Sequence, residues 1–203
     1  MNKELIGLIS GILIVVSAIP YSIRTYQRKV HPNITSWSLW TFIGLALLLT
    51  YKSSGAKANV WAAVFGFTNP LIVTLIALKR QYERTKLNKL DIVCLIFGII
   101  ALAMWLFMKE NKELVQYALY VAIVADSFAS LPTIAFLWKS PDQDRPFAWG
   151  FFSAAYSLNF FAISDFTLAN LILPIYMTVG SFCITVPLCV YRFRKKSPVM
   201  DWI

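Results

Sequence analysis

The sequence is poor in the residues that make a water-soluble surface. Only 14% of its 203 residues are charged, ten are acidic, and one is histidine. By contrast, 58% are hydrophobic and 15% are aromatic. So few charged side chains cannot cover the surface of a soluble globule, and we expect an integral membrane protein in contact with membrane lipid.

The scarcity of histidine and cysteine also argues against an enzyme. His31 is the only histidine, and Cys94, Cys183 and Cys189 all fall within apolar runs. An odd number of cysteines without regular spacing indicates small packing residues, neither disulfides nor ligands. Without a second histidine or clustered carboxylates, no zinc site or Ser-His-Asp triad is predicted. We expect no catalytic residue, no metal and no cofactor.

The net charge of +9 does not predict a nucleic-acid partner. The 19 Lys and Arg residues lie almost entirely in short gaps between apolar runs, where they anchor helix ends at the cytoplasmic face. Nucleic-acid binding would instead favour a basic patch on one face of a fold. We therefore expect no nucleic acid.

Seven apolar runs approach the roughly 20 residues that a helix needs to cross about 30 Å of hydrocarbon. They cover residues 4–26, 34–51, 57–80, 89–108, 114–138, 146–164 and 168–191. Of the 19 Lys and Arg residues, 14 fall on the side of the C-terminal tail. This excess predicts a multi-pass protein of the cell membrane with its N-terminus outside and its C-terminus in the cytoplasm.

A shift of 112 residues aligns several landmarks of the chain. It places Pro20 on Pro132, Trp37 on Trp149 and Arg80 on Arg192, although few other positions match. The pattern predicts an all-α membrane protein with a 3+1+3 parallel repeat of three-helix bundles. The first repeat covers residues 1–86, a linker helix lies in 87–112, and the second repeat covers 113–203. A proline within a helix bends it, so Pro20 and Pro132 are candidate hinges.

This plan resembles the SWEET and PQ-loop superfamily of seven-helix membrane proteins. The resemblance covers about residues 4–80 and 114–193, and includes the K-x-x-P-x-x-x-S-W opening of the second helix at Lys29 to Trp37. Where the family has Pro-Gln, this chain has Pro20-Tyr21 and Pro132-Thr133, so both glutamines are absent. The resemblance implies two bundles that rock about their prolines and give a small solute alternating access to a central pathway.

Polar residues inside apolar runs are candidates for lining that pathway, because lipid does not tolerate them. Asp126 is the one acidic residue deep within such a run, and Ser130 and Thr133 follow on the same helical face. Asp126 is interpreted either as a carboxylate that binds a proton or a solute, or as a protonated residue that ties two helices together.

Asn69 and Ser181 occupy equivalent places in the third helices of the two repeats. In the resembling family an asparagine there helps bind substrate hydroxyls, which makes both residues substrate-binding candidates. An amide both donates and accepts hydrogen bonds, which suits that role. Alternatively, Asn69 caps backbone groups that the following Pro70 leaves free.

Aromatic residues supply a third set of candidates. Phe65 and Trp61 lie one and two turns before Asn69, and Tyr156 shares a face of the sixth helix with Asn159. We expect these four to line one cavity with Asn69. The tryptophans near helix ends are instead expected at the membrane interface; these are Trp37, Trp40, Trp138, Trp149 and Trp202.

Gly7-x-x-x-Gly11 allows close helix contact, either within a bundle, which we expect, or between protomers of a homo-oligomer.

Taken together, the repeat, the hinge prolines and the polar residues within apolar runs favour a transporter of a small solute, either sugar-like or another small polar molecule. The alternatives are a proton-coupled amino-acid or vitamin transporter of the same fold and a non-transporting membrane receptor. Asp126 would distinguish the proton-coupled mechanism.

Overall fold

The computed structural model describes residues 2–30, 32–84 and 86–202, so His31 lies outside the described residues. The described chain forms seven α-helices joined by short connections. These are α1 (Lys3–Tyr26), α2 (Ile34–Ser53), α3 (Val60–Lys79), α4 (Lys89–Met108), α5 (Lys112–Lys139), α6 (Pro146–Asn159) and α7 (Leu168–Lys195). Short 3-10 helices follow α6 and α7 at Phe160–Ala162 and Val199–Asp201.

Polar residues just before the helices explain where several of them begin. The side chains of Asn2, Asn33 and Asn111 accept hydrogen bonds from backbone N–H groups in the first turns of α1, α2 and α5. Asn88 and Asp91 form a reciprocal capping box at the start of α4. Such caps satisfy donors that have no partner within the helix, and they fix the boundaries that the apolar runs predict.

Six of the described helices are long and apolar enough to cross a membrane, namely α1 to α5 and α7. Their outward faces carry exposed apolar side chains such as Ile99, Leu131 and Phe182. These helices fit an all-α, membrane-embedded protein, because a soluble protein would not expose so much apolar surface. The predicted run 146–164 differs: α6 ends after 14 residues, and a 3-10 turn continues it to Ala162.

Helix contacts form a closed ring in the order α1, α3, α2, α5, α7, α6 and back to α1. Helix α4 lies outside this ring and packs against α2 and α5. The largest buried apolar cluster joins α2, α4, α5 and α7 around residues such as Ile43, Leu119 and Leu173. The ring leaves a space along its axis, where the candidate site lies.

Gly7 and Gly11 confirm the expectation of close packing within one chain. A Cβ atom on Gly7 would lie 2.0 Å from the Ala58 carbonyl oxygen, and one on Gly11 would lie 2.3 Å from the Phe65 ring. Both glycines are buried where α1 meets the start of α3. Their missing side chains let these two helices approach closely.

Pro20 and Pro132 lie inside the uninterrupted helices α1 and α5. Pro132 is exposed on the outside of the ring, while Pro20 is half-buried near the C-terminal end of α1. Each proline removes one backbone hydrogen bond from its helix. Both helices continue through their prolines, so the role of Pro20 and Pro132 as hinges stays a prediction.

Candidate functional site

A cavity of about 360 Å³ lies inside the ring, and all six ring helices contribute to its wall. It extends from Ala63 and Leu173, in the first two turns of α3 and α7, to Asp144, which lies in the α5–α6 connection. The volume is within the range of small-molecule sites. It could hold on the order of ten water molecules at about 30 Å³ each.

Asp126 lies in the cavity wall on α5, as does Ser130 one turn later. The Tyr176 hydroxyl of α7 donates a hydrogen bond to Asp126 Oδ2 at 2.8 Å. Ser130 Oγ donates to the Asp126 carbonyl and lies 3.1 Å from the Tyr176 hydroxyl. Asp126 is thus held in place by a neighbouring helix, and its carboxylate also faces the cavity.

Asn69 lines the cavity from α3, next to Pro70. Among the described residues its side-chain amide makes no hydrogen bond, so nothing supports the alternative in which it caps the backbone. Ser181 lines the cavity from α7, and its hydroxyl donates to the Met177 carbonyl at 2.5 Å. The Asn69 amide can therefore still donate and accept hydrogen bonds to a solute, whereas the Ser181 hydroxyl proton is already engaged.

Tyr156 is almost fully buried and reaches the cavity from α6. Its hydroxyl donates to the Ala62 carbonyl of α3 at 3.2 Å. A Cβ atom on Gly66 would lie 2.6 Å from that hydroxyl oxygen, so the glycine leaves room for the ring. Tyr156 is therefore both part of the cavity wall and a contact between α6 and α3.

Trp61, Phe65 and Asn159 lie outside the cavity, contrary to the expectation that they share it with Asn69. Phe65 instead covers Gly11 on α1, and Trp61 stacks on Phe65 with ring centroids 6.1 Å apart. Asn159 is fully buried and donates to the Asn59 carbonyl. Helical spacing placed Trp61 and Phe65 near Asn69 along the chain, but the α1–α3 contact takes up their side of α3.

Three tryptophans expected at the membrane interface line the cavity instead: Trp37, Trp40 and Trp149. Tyr21 and Tyr176 also line it and were not predicted. The spacing of Trp37, Trp40 and Gly44 on one face of α2 could have revealed the two α2 positions, because residues three and four apart share a helix face.

One end of the ring is closed by buried polar side chains, and we call this the sealed end. Asn59 Nδ2 donates to the Tyr51 hydroxyl at 2.5 Å, and that hydroxyl donates to the Asn170 carbonyl at 2.9 Å. Both asparagines and Tyr51 are almost fully buried. Above them, Lys57 Nζ lies 2.9 Å from Asp165 Oδ2 in an exposed ion pair.

The opposite end of the ring, which we call the mouth, holds Asp144. Trp149 Nε1 donates to Asp144 Oδ2 at 2.8 Å, and the Arg192 guanidinium donates to the Asp144 carbonyl at 2.9 Å. Burial raises the pKa of the Asp144 carboxyl above its usual value, although these neighbours oppose the shift. Beside it, the rings of Tyr21 and Trp37 pack with centroids 5.1 Å apart.

The described residues contain no group of three or more His, Cys, Asp or Glu that could hold a metal ion. Cys94, Cys183 and Cys189 are free thiols, as their positions in apolar runs predicted.

Comparison of the chain with protein-family models, with curated proteins and with solved structures found no match in any of the three. The resemblance to the SWEET and PQ-loop superfamily therefore stays a prediction.

Proposed function

We propose that this protein is an integral membrane transporter that moves a small solute by alternating access. The observation that carries the proposal is an axial cavity that is closed at one end and reaches the other. All six ring helices contribute to its wall, so movement of one group of helices against another would change access to it. In this interpretation the described conformation has its solute site connected to the mouth.

A two-unit architecture supports the proposal. Helix α3 contacts both α1 and α2, and α7 contacts both α5 and α6 in the same way. The two groups meet through α1 with α6 and through α2 with α5, while α4 lies outside the ring. This pattern is what a 3+1+3 parallel repeat requires. The transport units would then be residues 1–86 and 113–203.

A seventh crossing and the orientation complete the interpretation. Helix α6 with its 3-10 extension spans about 27 Å at the usual rises of 1.5 and 2.0 Å per residue, close to the hydrocarbon thickness. Seven crossings place the termini on opposite sides. With the basic tail in the cytoplasm, the mouth faces the cytoplasm and the sealed end faces outside.

Cysteine accessibility tests alternating access without knowledge of the solute. In a variant whose three native cysteines are replaced by alanine, Ala63→Cys places a thiol on the cavity wall. A membrane-impermeant thiol reagent should label it in both right-side-out and inside-out vesicles. The matched control Ile99→Cys, on the outer face of α4, should remain unlabelled in both. Labelling of Ala63→Cys from one side alone would support a receptor with a fixed pocket.

Asp126 favours a second candidate, which is proton-coupled transport. Its carboxylate lies in the cavity, where it can exchange a proton with solvent. If transport is coupled, Asp126→Asn should abolish solute accumulation driven by a pH gradient yet leave solute exchange measurable. Equal pH dependence in variant and parent liposomes would exclude coupling through this residue.

A further inference from the structure

The cavity carries negative charge and no positive charge, although the chain as a whole is strongly basic. Asp126 and Asp144 are the charged residues among the described cavity-lining set, and none of the 19 Lys and Arg residues contributes to it. The two acids differ in their surroundings. Arg192 lies beside Asp144, whereas Asp126 forms no ion pair with any described residue.

A carboxylate in an apolar membrane interior is costly unless a cation or hydrogen bonds compensate it. Tyr176 supplies one charge-assisted hydrogen bond to Asp126, and the described residues supply no cation to it. The missing positive charge would therefore come either from a bound proton or from whatever occupies the cavity. An anionic solute would meet two acidic side chains and no basic side chain in the cavity wall, which disfavours that class on electrostatic grounds.

The hydrogen-bonding capacity around Asp126 points in the same direction. The Tyr176 hydroxyl donates to the carboxylate, and the Ser130 hydroxyl donates to the Asp126 carbonyl. On the same wall, Ser17 and Ser181 donate to carbonyls of their own helices. These hydroxyl protons are engaged, so their unused capacity consists of oxygen lone pairs. The part of the wall around Asp126 therefore suits a ligand that brings its own N–H donors.

Aromatic rings make up much of the remaining surface. The rings of Tyr21, Trp37 and Trp40 form one contiguous cluster, with centroid separations of 5.1 and 5.3 Å. Tyr156 and Trp149 face the same space from α6. The face of an aromatic ring attracts a cation, and the effect strengthens where water is excluded. A carboxylate combined with several such rings is a suitable environment for an organic ammonium group.

We propose that the cavity binds a small organic amine in its ammonium form, with Asp126 as its counter-ion and the aromatic cluster around its apolar body. This inference rests on the proposed transport function for its physiological meaning, because it names the solute class of the same cavity. Asn69 would contact a polar substituent of the amine, since its amide is free among the described residues.

A series of three ligands of similar shape but different charge tests the proposal. Purified protein in nanodiscs is titrated with phenethylamine, 2-phenylethanol and phenylacetate at pH 7, and the thermal midpoint and calorimetric Kd are recorded. We expect binding in the order cation, neutral, anion. Equal binding of the alcohol and the amine, preference for the anion, or failure of all three to bind would overturn it.

Two variants locate the charge effect. Asp126→Asn should weaken phenethylamine binding about 30-fold, because a desolvated charge pair loses one member, and should leave 2-phenylethanol binding unchanged. Asp142→Asn removes an exposed loop carboxylate outside the cavity wall and should change neither. If Asp126→Asn does not fold, the binding order of the three ligands to the parent protein still tests whether the cavity prefers a cation.

The outcome can be separated from that of the transport proposal. If Ala63→Cys is labelled from both sides but phenethylamine does not bind, the transporter stands and the amine assignment fails. If phenethylamine binds with the expected charge preference but labelling occurs from one side alone, the site stands and the protein is a receptor for amines.

Discussion

The two ends of the helix ring are built from different kinds of contact. At the sealed end, directional hydrogen bonds connect Tyr51, Asn59 and Asn170, all of them almost fully buried. At the mouth, large aromatic rings surround a single carboxylate, and the cavity reaches that carboxylate. Buried polar side chains can exchange protein partners for water with little net change in free energy, whereas buried apolar area cannot. In the proposed transport cycle, the sealed end is therefore the one expected to open.

The sealed end also contains polar atoms that are not fully satisfied. Among the described residues, Asn159 Oδ1 and Asn170 Oδ1 are buried and accept no hydrogen bond. Each such atom costs about 1–3 kcal/mol relative to a hydrogen-bonded one. Opening that end to water would recover part of this energy, which would lower the cost of the outward-facing conformation in the proposed transport cycle. Differences in closure between the two ends can be tested by substitutions at each.

Gly7→Ala is expected to have the largest effect, because the new Cβ would overlap the Ala58 carbonyl beside the sealed end. Overpacking of this kind usually costs about 1–3 kcal/mol, and here the obstacle is backbone. We expect a lower thermal midpoint in detergent. Gly180→Ala is the matched control, since a Cβ there meets no atom within 4 Å. An unchanged midpoint for Gly7→Ala would show that α1 and α3 separate easily.

Tyr51→Phe should have the next largest effect. It removes the hydroxyl that accepts from Asn59 and donates to the Asn170 carbonyl, which leaves two buried groups without partners. We expect a loss of about 1–3 kcal/mol in unfolding free energy and faster labelling of Ala63→Cys from the outside. Tyr117→Phe, at a half-exposed ring on α5, is the control. Destabilisation without faster labelling would place the gate elsewhere.

The sequence predicted the helices well and the cavity wall only in part. Apolar runs and asparagine caps are local signals, so six long helices follow from them directly. Asp126 was found because a carboxylate in an apolar run is recognisable wherever it faces. Trp37 and Trp149 were assigned to the interface because a tryptophan near a helix end suits both environments. Only the packing of the neighbouring helices decides whether such a tryptophan lies at the membrane interface or in the cavity wall.

The sealed end was not predicted, and its residues explain why. Tyr51 and Asn170 lie 119 positions apart, and each alone is typical of a helix end or a short connection. Their contact depends on how α2 and α7 meet, which local periodicity does not determine. The error over Trp61 and Phe65 has the same origin, because Gly11 permits α1 to cover that face of α3.

Asp144→Asn tests the mouth and should have a smaller, pH-dependent effect. Burial raises the pKa of this carboxyl in the folded protein, so its contribution to stability is fully present below its unfolded pKa of about 4 and is lost as pH rises through the folded value. Asparagine stays neutral and can still accept from Trp149. Thermal midpoints from pH 4 to pH 7 should therefore fall less in the variant than in the parent. Parallel profiles would mean that the carboxyl is well solvated.

The smallest effect is expected from the ion pair at the outer surface of the sealed end, because Lys57 and Asp165 are both more than half exposed and solvent screens their attraction. The hydrogen bond and charge of Lys57 lower the pKa of Asp165. The stability it contributes is therefore present above the unfolded pKa of about 4 and lost as pH falls through the folded value. Lys57→Gln should reduce stability slightly at neutral pH and low salt, and the difference from the parent should vanish in 1 M salt and shrink as pH falls through the folded pKa of Asp165. A large, salt-independent loss would contradict this prediction and show that Lys57 stabilises the sealed end by contacts other than its screened charge.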